Sequence, residues 1–196
     1  MSEDLVQQVT VEELGELQLG GIRVLCAGEQ YVHEIPQAAL LLEQRMSEIK
    51  HVIEPFIQVG AFVVEPTSRE EDGYWVCVQV SEAEDLPEGI EAVTIPPQTY
   101  AVLKHKGANT EILHTYDILH KWIEESGYMR VKNDWHVERF HSWRKTSKID
   151  VDLMETIIII HFLVKRSALI CLELGAFLYL LPTLENPVNG TSITSE

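Results

Sequence analysis

Glu138 and a set of aromatic side chains carry the clearest chemistry in this sequence. Glu138 stands in WHVERFH (residues 135–141), where strand alternation puts His136, Glu138 and Phe140 on one face and Trp135, Val137, Arg139 and His141 on the other. A carboxylate among aromatic rings is poorly hydrated. It therefore keeps a proton or attracts a cation, and a cation gains both Coulomb attraction and contact with ring faces. The same setting suits an acid that activates water or protonates a leaving carbon. Residue types alone favour a solvated strand glutamate paired with Lys or Arg, since charged side chains are usually hydrated. The candidate walls are Tyr74, Trp75, Tyr100, Trp122, Trp135 and Phe140, because aromatic rings give large, rigid contact surfaces. Trp122 lies at helical spacing beside Leu119 and Ile123, which favours packing. Tyr100 follows Pro96-Pro97, where a broken strand can aim a side chain into a cleft.

Other chemistries have little support. No GxSxG, Walker or GxGxxG motif occurs, and none of the eight histidines forms an HExxH pair. The three cysteines, Cys26, Cys77 and Cys171, form no CxxC pair and no Cys/His cluster at zinc spacing. No metal, cofactor or disulfide framework is expected, and a reducing cytoplasm fits. A formal charge of −16, from 31 acidic against 15 basic residues, argues against direct nucleic-acid binding. It leaves room for a basic protein partner. The first 16 residues are acidic, without a secretory pattern and too short for a helix-turn-helix, which makes a stand-alone binding domain the expectation.

The elements that must position these residues follow from periodicity. Residues 17–27 read as a strand with a kink at Gly20-Gly21. Ala38, Leu42, Met46, Ile49 and Ile53 mark an amphipathic helix that opens near Ile35-Pro36 and closes before Pro55. Residues 56–64 and 74–80 read as a hairpin across Pro66 and Asp72-Gly73. A second cycle starts with residues 90–105, a strand broken at Pro96-Pro97. A helix follows, with Ile112, Tyr116, Leu119 and Ile123 on one face and Gly127 as its stop. Residues 135–143 and 149–162 then read as strands. The expected fold class is α+β, built from duplicated β-α-β-β units related by a pseudo-twofold, with a ligand cleft between the halves.

The second cycle resembles the GyrI-like family, the effector-binding module also found on AraC-type and MerR-type transcription regulators. The resemblance is densest in IPPQTYAVLKHKG (95–107), TYDILHKWIEESGY (115–128) and WHVERFH, and covers residues 17–160. GYWVCVQV (73–80) looks like the family's central strand. The resemblance implies duplicated β-α-β-β units and a concave pocket that binds hydrophobic, often cationic, compounds around a buried acid, the behaviour of a multidrug sensor. The family's acid lies in an aromatic-Glu-x-Tyr strand motif, and Glu138 in Val137-Glu138-Arg139-Phe140 inherits that role. Phe140 stands where Tyr is usual, and Cys77 and Gln79 replace the usual Gly and Glu. Some members look like hydrolases of strained, cyclopropane-bearing electrophiles and others like gyrase inhibitors, so enzyme and protein-interaction readings stay open beside binding.

The domain is thus expected over residues 17–163, with a distinct tail at 164–196. Within the tail, residues 167–181 are apolar apart from Glu173, shorter than the roughly 20 residues that span a bilayer. A helix packed on the domain or a partner is the leading reading there, with membrane contact and a shifted reading frame as alternatives.

Overall fold

The computed structural model describes residues 8–145 and 147–160. These residues form strands β1 (Thr10–Leu14), β2 (Leu17–Val24), β3 (Gln58–Val63), β4 (Tyr74–Gln79), β5 (Glu91–Ile95), β6 (Gln98–Gly107), β7 (Tyr128–Arg130), β8 (Trp135–Ser142) and β9 (Ile149–Ile159). The helices are α1 (Tyr31–Arg45) and α2 (Ile112–Glu125). The expected α+β class holds: all strand pairings are antiparallel, in the order β1-β6-β9-β8-β3-β4-β2-β5, with β7 on β9.

The connections force this sheet to curl. β1 and β5 lie at opposite ends of the order, yet residues 15–16 alone join β1 to β2, and Pro96-Pro97 alone joins β5 to β6. Two linking residues reach only about 10 Å, so the two ends of the sheet must approach each other. Leu19, Ala61, Trp75, Cys77, Tyr100 and Val137 fill the inside of the curl. Pro96-Pro97 suits the corner because prolines bring no amide donors that a ladder would have to satisfy.

One cross-strand row places both helices on the other face. Ile22, Val76, Gly60, Glu138, Leu153 and Leu103 are successive register partners through β2, β4, β3, β8, β9 and β6. Directly paired antiparallel residues share a face. Val76 packs with Ala38, Ala39 and Leu42 of α1, whereas Leu153 and Leu103 pack with Leu119 and Ile123 of α2. Glu138 therefore lies between the two helix-covered ends of the row, over the β3–β8 junction that neither covers.

Three elements differ from the sequence reading. β1 falls inside the segment set apart as acidic; Thr10, Val11 and Leu14 give it enough strand character to pair with β6, and its glutamates suit an edge. α1 starts four residues before Ile35 and ends at Arg45, so Ile49 and Ile53 lie outside it, and Pro36 sits inside. β7 is a three-residue strand directly after Gly127, whose φ of +78° ends α2. Among the described residues no helix is long and apolar enough to cross a membrane. The tail readings, including residues 167–181, lie outside the described residues.

Candidate ligand-binding site

The site is built outward from Gly60. A Cβ at this position would lie 1.9 Å from the Tyr74 hydroxyl oxygen and 3.1 Å from Glu138 Oε2. Glycine thus leaves a trough across β3 through which the Tyr74 ring, on β4, reaches the carboxylate on β8. The Tyr74 hydroxyl donates to Glu138 Oε2 at 2.5 Å, and the Tyr116 hydroxyl, brought by α2, donates to Oε1 at 2.6 Å. Each carboxylate oxygen is held by one phenol from a different element. The hydroxyl that Phe140 lacks leaves no gap at the carboxylate.

The electrostatics single out Glu138 from its neighbour Glu155. Glu138 is 8% exposed; burial raises its pKa, the two phenol hydrogen bonds oppose the rise, the charge of Glu155 adds to it, and the net direction is upward. Burial and the Glu138 charge push both phenols well above the ordinary tyrosine value, so they remain donors. Glu155 is also buried, which disfavours its charge. Hydrogen bonds from His120 and His136, with the charges of His136 and Arg130, outweigh that cost and hold it well below the usual carboxylate range. The distances are 3.0 Å to His120 Nε2, 2.7 Å to Arg130 Nε and 2.8 Å to His136 Nδ1. Glu155 has its cations within the protein.

Above Glu138 lies a cavity of about 470 Å³, within the range of small-molecule sites. α1 supplies Tyr31, Val32, Ile35, Pro36 and Ala39, and the start of α2 supplies Ile112 and Leu113. Phe140, Trp143 and Ile149 close the far side, and Gln58 joins Gly60, Tyr74, Val76 and Glu138 in the floor. Among the described residues, no Lys, Arg or His lines it. Val32 and Leu113 are 61% and 72% exposed, leaving uncovered apolar side chains in the lining.

Of the residues expected to form the site, Glu138, Tyr74 and Phe140 come together in the cavity. Trp75, Trp135 and Tyr100 do not. Trp75 and Trp135 pack edge to face at 5.4 Å inside the curl. Tyr100 is fully buried there and donates to Gln98 Oε1 at 2.7 Å. Alternation is the cause: Tyr74 faces the helices, so Trp75 cannot, and Trp135 is three residues from Glu138 and thus on the opposite face. Trp122 stacks on Tyr128 at 5.8 Å, away from the cavity lining. Cys77 and Gln79 also alternate away from it, so of the three departures from the family pattern only Phe140 lines the cavity.

Residues that sequence reasoning missed are Tyr116, Gly60, Gln58, Tyr31 and Trp143. The position of Tyr116 on the apolar stripe of α2 was a usable signal. The role of Gly60 was hidden, because it depends on which strand lies beside β3.

A two-helix α+β sheet with a cavity floored by an oriented carboxylate defines a ligand-binding domain. The chain belongs to the GyrI-like small molecule binding domain family, whose model matches residues 7–159. Its fold is similar to the C-terminal domain of EcmrR, at 16% identity and a TM-score of 0.60 over 78% of this chain and 98% of that one. It is likewise similar to SAV2435 bound to tetraphenylphosphonium, at 16% identity and a TM-score of 0.60 over 76% and 93%. Against EcmrR in its complex with DNA the identity is 17% and the TM-score 0.58, over 78% of this chain and 57% of that one. The chain thus corresponds to a little over half the length of that protein. No curated protein sequence matches it.

Proposed function

We propose that this domain senses or sequesters hydrophobic cations in the cavity between α1 and α2, with Glu138 as the counter-charge. The carrying observation is a buried carboxylate fixed by two phenol donors in a cavity that, among the described residues, is lined by no basic side chain. An unpaired buried charge is costly, so the empty site favours the protonated acid and a cationic ligand favours the ionised one. The rings of Tyr31, Tyr74, Phe140 and Trp143 supply faces for a delocalised or quaternary cation. That a similar fold holds tetraphenylphosphonium supports this ligand class.

Titration of wild type and Glu138→Gln with tetraphenylphosphonium tests the proposal. The substitution keeps shape and removes charge, and a loss of about tenfold or more is expected, the scale of a desolvated cation contact. Equal affinities would remove Glu138 from the role.

The raised pKa supports a second reading, in which protonated Glu138 acts as a general acid on a strained electrophile. Incubation with cyclopropane-bearing electrophiles, followed by mass spectrometry, separates the two. Product that vanishes in Glu138→Gln would favour hydrolysis over binding.

A further inference from the structure

The cavity floor holds a second polar group that the counter-charge reading does not use. Gln58 is 4% exposed and lines the cavity, yet its side-chain amide has no hydrogen-bond partner among the described residues. Its place in the β3–β8 register puts Gln58 on the same sheet face as Gly60 and Glu138, in the floor of the cavity. A buried amide offers two donors and an acceptor, and leaving them unmatched under a bound ligand is costly.

Register fixes where this amide sits relative to the charge. Gln58 pairs with Phe140 and Gly60 with Glu138, so Gln58 and Glu138 are diagonal neighbours across β3 and β8 on the helix-covered face. Diagonal neighbours of this kind lie ~7–8 Å apart, with their Cβ atoms somewhat closer. The remaining amide in the lining, Asn109, is half-buried, where water competes for its hydrogen bonds.

We infer that the pocket is built for cations that also carry an amide- or hydroxyl-type hydrogen-bonding group placed to one side of the charged centre, over Gln58, and that Gln58 selects for that group. The inference rests on Glu138 as the counter-charge. Plain hydrophobic cations would still enter, but they would strand the Gln58 amide. A site with a buried polar group discriminates most strongly against ligands that leave it unpaired.

Two probes of one shape test this: 4-carbamoylbenzyl-trimethylammonium, and its 4-isopropyl counterpart, which has no donor or acceptor. Calorimetric titration of wild type should show about a tenfold preference for the carbamoyl probe, the scale of one buried hydrogen bond. In Gln58→Leu the preference should vanish or reverse, while Glu138→Gln should weaken both probes by a similar factor. Gln58→Met, which keeps the length of the side chain, provides a second variant should the leucine disturb folding. Equal binding of the two probes by wild type, or a preference that survives both Gln58 variants, would overturn the role of Gln58 and leave the counter-charge reading standing. Failure of wild type to bind either probe, or binding of both that is insensitive to Glu138→Gln, would overturn the counter-charge reading and this inference with it.

Discussion

Gly60 stands directly opposite Glu138 in the β3–β8 pairing, and its missing side chain is what admits the Tyr74 hydroxyl to the carboxylate. The site therefore depends on an absence in one strand as much as on side chains from its neighbours.

Gly60→Ala should break this arrangement. The new methyl would meet the Tyr74 hydroxyl at 1.9 Å, so the ring must leave and the Glu138 hydrogen bond is lost. Lost bonding and overpacking together should cost about 2–4 kcal/mol of stability, more than Tyr74→Phe alone at about 1–2 kcal/mol. Urea unfolding of the two variants checks the order.

Removing either phenol should raise the pKa of Glu138 further. The hydrogen bonds from Tyr116 and Tyr74 favour the ionised acid against burial, so Tyr116→Phe and Tyr74→Phe each withdraw support from the charged form. Cation affinity depends on the ionised carboxylate, and its rise with pH should move to higher pH in both variants. Affinity measured across pH values reports the shift.

Glu138→Gln should stabilise the ligand-free protein. A group whose folded pKa lies above its unfolded value contributes stability below the unfolded value, and that contribution is lost as pH rises through the folded one. At neutral pH the carboxylate therefore weakens the fold, as binding sites often do. The Tm of Glu138→Gln should exceed that of wild type at neutral pH, with the gap closing in acid. A lower Tm at neutral pH would contradict this.

Glu155 should behave oppositely. Its folded pKa is depressed, so its contribution is present above the unfolded carboxylate value and fades as pH falls below it toward the folded one. Glu155→Gln leaves Arg130 and His136 without their partner and should cost about 3 kcal/mol, discounted because Arg130 retains some contact with water. Urea unfolding at neutral pH measures it.

Much of this was legible in local pattern. Alternation put Glu138 and Phe140 together, Pro96-Pro97 marked the corner between β5 and β6, and Gly127 marked the end of α2. β1 was obscured because TVEEL carries strand periodicity under an acidic composition. The pocket was only half visible, since aromatic character drew in Trp75, Trp135 and Tyr100, which the same alternation sends inside the curl. Pattern put Tyr116 on the apolar stripe of α2 without showing its partner, and gave no sign of Gln58: each acquires its role from an element distant in the chain, Tyr116 from β8 and Gln58 from the walls that α1 and α2 raise above the floor.

The most direct test of Glu138 as the cation's counter-charge is the proton count on binding. Tetraphenylphosphonium is titrated calorimetrically into wild type and Glu138→Gln in buffers of differing ionisation enthalpy. If the empty site holds the protonated acid and the filled site the carboxylate, wild type releases a fraction of a proton that declines at higher pH, and Glu138→Gln releases none. Binding of equal strength in both proteins, with no proton released by either at any pH, would contradict it.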